Sequence, residues 1–178
     1  IASCLVGSEM CIRDRFTHAP IEQRTTAYEK ACILYNTAAQ ITRVSMQLNR
    51  SDSSTDALKR AYTGLRQAAG LLQYIKNNFM YAPSDDMKGP ALESLSKLLL
   101  AQASEVFLEK SIHDTKGEAL IAKLASHTAH TYSGLSVEWN DTDNLRVPAM
   151  WCRIVACKAD HFMLSLIHIS EPTRQEAI

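Results

Sequence analysis

The feature that most constrains the fold is a succession of long segments in which apolar residues recur every three or four positions. This spacing places apolar side chains along one side of an α-helix, whereas a strand requires alternation at every second position. No convincing two-residue alternation occurs in the sequence. Five such segments follow one another with short turns between them, which predicts an all-α fold built as an array of antiparallel helices.

Turn and capping residues indicate the boundaries of these helices. The cluster SDSST ends the first segment and supplies N-cap candidates for the second, and Pro90 suits the first turn of the third. Gly117 and the polar run NDTDN separate the third, fourth and fifth segments. The predicted helices run from about Ile21 to Asn49, Asp56 to Tyr81, Pro90 to Asp114, Gly117 to Trp139 and Pro148 to Met163.

The second segment contains the small-residue run AAG, Ala68 to Gly70. Glycine inside a helix costs about 1 kcal/mol relative to alanine, so its presence there predicts a packing reason. We therefore expect a neighbouring helix to approach the second helix closely at this point.

The third and fourth helices carry apolar residues on more than one face. Leu100 and Phe107 lie about 80 to 100° round the axis from the main stripe of the third helix. Leu120, Leu124 and His127 lie about 100° from the main stripe of the fourth. The main stripes are Leu92, Leu95, Leu99, Ala103 and Val106 on the third helix, and Ile121, Ala125, Thr128 and Tyr132 on the fourth. A second face indicates either burial on two sides in a layered array or an exposed patch that binds another molecule.

Composition excludes several classes of function. The 19 Lys and Arg residues balance the 19 Asp and Glu residues, and no basic run occurs, so a nucleic-acid partner is not indicated. Residues 16–163 contain no apolar run of about 18 residues, which predicts that no segment there spans a membrane. Cys32, Cys152 and Cys157 show no CxxC spacing and are expected to be buried, reduced thiols of a cytosolic protein.

No residue pattern indicates catalysis, a metal or a cofactor. His127 and His130 share a helix face, but no third or fourth ligand accompanies them. Cys157 has neither a phosphate-binding loop nor a general base near it in the sequence. The run from Ser84 to Asp86 is typical of turn and capping chemistry. We therefore expect a protein that is not an enzyme.

The two ends of the chain are related at the level of nucleotides. One choice of codons for CLVGSEMCIRDR, Cys4 to Arg15, reads on the opposite strand as LSLIHISEPTR followed by the start of a His or Gln codon. That is the sequence from Leu164 to Gln175. Two unrelated protein segments would not encode each other over about a dozen codons. The shared string also looks like a transposase adapter used in sequencing libraries.

We therefore interpret residues 1–15 and 164–178 as translated adapter and exclude them from fold reasoning. The native part is predicted to be residues 16–163, a fragment cut at both ends. About 150 residues suffice for one domain, or a piece of one, with a substantial apolar core. Genuine termini are the alternative.

Four sequence blocks closely resemble the BRO domain family, and they occur in that family's order and spacing. They are YEKACILYNTAA, LKRAYTGLRQAAGLLQYIKNNF, APSDDM and LLLAQASEVFLEKSIHDTKGEALIAKLA, and they cover about Tyr28 to Tyr132. The most specific block joins LAQASEVFLEK to ALIAKLA. The family includes ALIX, PalA, fungal vacuolar-sorting proteins and the His-domain phosphatase. The stretch NNFMYAPSDDM resembles the vacuolar-sorting and phosphatase branches most.

This resemblance implies a fold and a cellular role. Family members have a long curved domain whose centre is a helical solenoid similar to tetratricopeptide repeats. Residues 16–163 would form part of that centre, a partial BRO domain. The family supplies non-enzymatic scaffolds for endosomal sorting into multivesicular bodies, in the ESCRT pathway. The resemblance thus implies a cytoplasmic protein that its partners recruit to the endosomal membrane.

The resemblance also implies a binding site. Family members receive the amphipathic C-terminal helix of an ESCRT-III subunit on an apolar patch. Matched by motif position, that patch corresponds to Phe107, Lys110, Leu120 and Leu124. Three of these residues belong to the additional apolar faces of the third and fourth helices, so the resemblance favours a binding patch. Residues beyond the cut ends would complete it.

Two other functions stay open at this point. The chain could be the scaffold part of a BRO-domain protein tyrosine phosphatase-like signalling protein, in which case a Cys-containing phosphate loop would occur downstream. It could also be a solenoid that holds an unrelated peptide, which would be indicated if ESCRT-III tail peptides fail to bind a complete domain.

Overall fold

A computed structural model describes residues 11–13, 20–22, 25–51, 54–79, 84–141 and 147–170. Five helices account for most of these residues, and the predicted all-α class is confirmed. In chain order the elements are β1 (Cys11–Arg13), β2 (Pro20–Glu22), α1 (Thr26–Ser51), α2 (Thr55–Asn78), a single 3₁₀ turn (Asp85–Met87), α3 (Gly89–His113), α4 (Glu118–Asp141) and α5 (Ala149–Ser170).

The structure differs from the predicted boundaries at both ends of the helical array. β1 and β2 form a short antiparallel hairpin with Ile12 opposite Ile21, which the sequence did not lead us to expect. Because this hairpin takes up Ile21, α1 begins later, at Thr26. At the other end α5 continues past Met163 to Ser170.

Two helix ends follow from local chemistry. Ser54 caps α2, where its side-chain oxygen accepts a hydrogen bond of 3.3 Å from the backbone N–H of Ala57. At the end of α3, Thr115 and Lys116 donate backbone hydrogen bonds to the carbonyls of Ile112 and Ser111, at 3.0 and 3.1 Å. This is a Schellman ending, and it places Thr115 in the left-handed region with φ 50°. The turn reverses the chain within four residues, so α4 runs back along α3.

α3 is the central helix, and it is buried on two opposite sides. The first core lies between α1, α2 and α3 and includes Leu58, Leu65 and Ile75; the second lies between α3, α4 and α5 and includes Tyr132, Trp139 and Phe162. To the first core α3 contributes Leu92, Leu99, Ala103 and Val106, and to the second it contributes Ala101 and Leu108. The two cores are therefore separate layers that share one helix, as in a helical solenoid.

Close approach of backbones joins the helices of the first core. A Cβ added at Gly64 on α2 would collide with the Oγ of Ser45 on α1, so a larger residue requires the Ser45 side chain to move. Gly70, by contrast, faces open space, and the packing reason predicted for it is wrong. The close approach near it is made by Ala69, whose carbonyl accepts a buried hydrogen bond of 3.2 Å from Ser96 on α3.

Polar contacts join the helices of the second core. Glu105 on α3 accepts hydrogen bonds of 2.7 Å from the Tyr132 hydroxyl on α4 and from Lys158 on α5. Trp139 on α4 donates its indole N–H to the Ser94 hydroxyl on α3. Burial of Tyr132, together with the charge of Glu105, raises the pKa of the tyrosine. These contacts set the position of α4 and α5 along α3.

Candidate protein-binding surface

The extra apolar residues of α3 divide into a buried set and an exposed set. Ala101 and Leu108 face the second core, which is the burial on two sides that the sequence left open. Leu100 and Phe107 remain 43% and 39% exposed. α3 is therefore buried on two sides, and it also keeps Leu100 and Phe107 accessible.

α4 also has an exposed apolar edge. Ala125, Thr128 and Tyr132 of its predicted main stripe are buried in or beside the second core. Leu120 is 46% exposed, whereas Leu124 is half-buried and packs against the second core. Of the two leucines at this edge, Leu120 is accessible, and Leu124 is held by its contacts with the second core.

The tight turn between α3 and α4 determines how far along the two helix axes these side chains lie from the turn. Phe107 lies six residues before the last residue of α3, and Leu124 lies six residues after the first residue of α4. At a rise of about 1.5 Å per residue, both lie about 9 Å from the turn. Lys110 and Leu120 are each about one helical turn nearer to it. The predicted site residues therefore occupy the same end of the α3–α4 pair.

Lys110 is engaged inside the protein. Its ammonium group forms an ion pair with Asp114, the C-cap residue of α3, and both side chains are largely covered. Asp114 also accepts a hydrogen bond of 3.0 Å from the Thr55 hydroxyl at the start of α2. The hydrogen bond from Lys110, followed by that from Thr55, holds the pKa of the Asp114 carboxyl below its usual range. Lys110 thus helps to tie the end of α3 to the start of α2.

Two residues of α2 that are not among the predicted site residues adjoin this surface. The Tyr62 ring lies 5.4 Å from the Phe107 ring, measured between centroids. The Arg66 guanidinium lies 5.5 Å above the Tyr62 ring, and its Nη1 donates a hydrogen bond of 3.2 Å to the tyrosine hydroxyl. In the sequence, Tyr62 recurs at helical spacing with Leu58 and Leu65, which is the pattern of a buried stripe. The spacing of four residues between Tyr62 and Arg66 was the available signal for a surface pair.

The remaining candidate groups are histidine and cysteine side chains. No group of three or more His, Cys, Asp or Glu side chains there has a metal-binding arrangement, and His127 and His130 are both exposed. The three cysteines 32, 152 and 157 are free thiols, but Cys157 is exposed, so its predicted burial is wrong. Among the described helices, none combines the length and the hydropathy that a membrane span requires.

The sequence of this chain matches the family model of the BRO1-like domain over residues 10–170. The chain therefore belongs to the BRO1-like domain family. The matched range overlaps both predicted adapter segments by a few residues.

Proteins of the same family from fungi and animals are similar in sequence. The vacuolar protein-sorting protein bro1 of Aspergillus fumigatus is 38% identical over 148 residues, which are 83% of this chain and 15% of that protein. Rhophilin-2-B of Xenopus laevis is 34% identical over 84% of this chain and 22% of its own. The chain thus spans less than a quarter of the length of these relatives.

Solved structures share the helical fold. The chain of the "ALIX BRO1 CHMP4C complex" superposes with a TM-score of 0.81 at 22% identity, over 98% of this chain and 52% of that one. The structure described as the basis for endosomal targeting by the Bro1 domain gives a TM-score of 0.73 at 26% identity, over 89% of this chain and 45% of that one. The predicted solenoid-like architecture of part of a BRO domain agrees with these neighbours.

Proposed function

We propose that this chain is part of a non-enzymatic scaffold for endosomal sorting that binds the amphipathic C-terminal helix of an ESCRT-III subunit. The docking surface is the tail patch, defined as Phe107, Lys110, Leu120 and Leu124. The observation that carries this proposal is that Phe107 and Leu120 stay exposed near the same end of α3 and α4, although most of the main apolar stripe of each helix is buried. In the cell, this binding would recruit a cytoplasmic protein to the endosomal membrane.

The tail patch has the physical properties that helix docking requires. An amphipathic helix that lies on a groove presents apolar anchors at i, i+3, i+4 and i+7, and these need apolar partners of matching spacing. Phe107 offers the largest accessible ring, and Leu120 and Leu124 are one helical turn apart along the neighbouring helix. Aromatic anchors of this kind tend to dominate the binding free energy of an interface.

The rigidity of the patch also supports the proposal. The Schellman turn and the contacts of Glu105 and Trp139 hold α4 against α3, so little conformational entropy is lost when a partner binds. Lys110 contributes through its aliphatic stem and through the position of the α3 end, because its charge is already paired with Asp114.

The named relatives favour sorting over the phosphatase alternative. Several fungal proteins that match at 33 to 42% identity are named vacuolar protein-sorting proteins. One of the structural neighbours is described as a complex of an ALIX BRO1 domain with CHMP4C. We therefore choose the C-terminal helix of CHMP4C, called the tail peptide below, as the probe.

Fluorescence anisotropy of a labelled tail peptide, titrated with the 178-residue chain, tests this function. We expect Phe107→Asp and Leu120→Asp each to weaken binding by about tenfold or more, because a buried carboxylate loses its hydration. Val137→Asp is the matched control, since Val137 is exposed on α4 but lies outside the tail patch. Far-UV circular dichroism should be unchanged in all three variants.

Two results would contradict the proposal. The first is an absence of binding by a folded wild-type chain. The second is an equal loss of affinity in Val137→Asp and Leu120→Asp, since that would mean that the apolar edge of α4 has no specific role.

We also propose that residues 1–15 and 164–178 derive from a sequencing adapter. Amplification of cDNA across the junctions Arg15/Phe16 and Met163/Leu164 tests this origin. Native sequence that continues differently at both junctions supports it, and a transcript that encodes both terminal segments refutes it.

A further inference from the structure

The apolar surface does not end at α3 but continues onto α2. Tyr62 is half-buried, with one side packed against the first core and the ring in contact with Phe107. The tail patch as defined from the sequence includes only α3 and α4. The ring contact adds a third helix to the same surface.

The three helices present these side chains at one level. The hydrogen bond between Thr55 and Asp114 holds the first residue of α2 beside the end of α3. Tyr62 lies seven residues after Thr55 along α2, and Phe107 lies six residues before the end of α3. At about 1.5 Å per residue, Tyr62, Phe107 and Leu124 therefore lie at one level on α2, α3 and α4, about 10 Å from the α3–α4 turn, and are called the row below.

Arg66 provides a positive charge at the α2 end of this row. Its guanidinium is exposed and is held above the Tyr62 ring by stacking and by the hydrogen bond to the hydroxyl. Among the residues that the structure describes, no carboxylate forms an ion pair with it, whereas Lys110 is already paired with Asp114. Of Arg66 and Lys110, Arg66 is thus the cation whose charge is not already neutralised by a described carboxylate.

We propose that Tyr62 and Arg66 are specificity-determining residues that select a docked helix with a carboxylate next to its apolar anchors. This inference rests on the proposed function. The Tyr62 ring extends the apolar row, and the orientation of Arg66 prepares it for a planar, bidentate contact with a carboxylate. Because the stacking and the hydrogen bond to Tyr62 favour one orientation of Arg66, less rotamer freedom is lost on binding than for an unsupported arginine.

The expected effects of these substitutions on the affinity for the tail peptide are moderate and depend on charge. Arg66→Ala should weaken tail-peptide binding by about threefold to tenfold, in the range of an exposed but oriented ion pair. Arg66→Glu should weaken it further, because two like charges then face each other. Tyr62→Phe keeps the ring but loses the hydroxyl that orients Arg66, so a smaller loss of about twofold to threefold is expected.

A charge-swap experiment tests the pairing directly. The acidic residues of the tail peptide are replaced by lysine one at a time, and each peptide is titrated with wild type and with Arg66→Glu in anisotropy measurements at low and at physiological salt. We expect the affinity of one lysine peptide for the Arg66→Glu variant to exceed the affinity of the same peptide for the wild-type chain. Arg60→Glu is the matched control, because Arg60 is exposed on α2 and pairs with Asp56 in the same helix.

The outcomes separate this inference from the proposed function. If wild type binds the tail peptide and Phe107→Asp abolishes binding, but Arg66→Glu binds like wild type and no lysine peptide rescues it, this inference is wrong and the proposed function stands. If folded wild type does not bind at all, the proposed function fails first. Equal losses in Arg60→Glu and Arg66→Glu would also overturn the inference, since they would reflect net charge alone.

Discussion

The two sides of α3 are held together in different ways. On the side of α1 and α2, small residues allow backbones to approach, as at Gly64 against Ser45 and at Ala69 against Ser96. On the side of α4 and α5, long side chains reach across, with Glu105 as the acceptor for Tyr132 and Lys158. Close packing tolerates few changes of volume, whereas hydrogen bonds fix the register of helices through charge and direction. The side on which Glu105 accepts these hydrogen bonds is the side that positions α4 and its part of the tail patch.

The largest expected effect concerns the polar contacts of the second core. Tyr132→Phe removes a buried hydroxyl that donates to a carboxylate, and we expect it to lower the free energy of unfolding by about 1.5 to 3 kcal/mol. Urea denaturation followed by circular dichroism measures this loss. An unchanged midpoint would mean that the hydrogen bond to Glu105 contributes nothing net, and the contrast between the two cores would then disappear.

Unfolding at alkaline pH compares the two cores through their buried tyrosines. Burial raises the pKa of Tyr132, and it raises that of Tyr28 in the first core to about 12. The folded state therefore keeps protons that the unfolded chain releases near the ordinary tyrosine pKa of about 10. Stability should be fully present below pH 10 and should fall as the pH rises above it.

The variants Tyr28→Phe and Tyr132→Phe show how much of that pH dependence of stability comes from each core. Each variant should lose part of the decline between about pH 10 and pH 12, in thermal unfolding followed as a function of pH. An alkaline decline of full size in the double variant would show that other groups cause it.

A smaller loss is expected where the first core relies on close approach. Gly64→Ala places a methyl group against the Ser45 hydroxyl and should destabilise the fold by about 1 to 2 kcal/mol. The double variant Gly64→Ala/Ser45→Ala removes the colliding oxygen and should recover most of that loss in the same denaturation experiment. Without this recovery, the steric explanation of Gly64 would be wrong, and Gly70→Ala, which faces open space, provides the control.

The smallest effect is a gain at the turn between α3 and α4. Thr115 is a β-branched residue with φ 50°, a conformation that costs an L-residue about 1 to 2 kcal/mol. Thr115→Gly removes that cost but adds entropy to the unfolded chain, so we expect a net stabilisation of about 0.5 to 1 kcal/mol. A lower midpoint in thermal unfolding would indicate that the Thr115 side chain makes a favourable contact of its own.

Local patterns in the sequence were enough to predict the helices and their main buried stripes. The stripe of Leu92, Leu99 and Val106 is buried as predicted, and Ser54 caps α2 at the predicted boundary. The reason is that helical periodicity and capping depend on residues within a few positions of one another. The sequence blocks also placed the chain in its family, and the match to the family model confirms this.

Only the tertiary structure decided which additional faces are covered and which charges are free. Leu108 and Phe107 are neighbours in sequence, yet the second core covers one and leaves the other 39% exposed. The structure likewise joins Asp114, the ion-pair partner of Lys110, to Thr55 on α2, and it brings Tyr62 on α2 to Phe107 on α3, 45 positions later. These outcomes depend on where separate helices meet, and that geometry is set by turns and contacts far apart in the chain, which a periodic pattern within one helix does not encode.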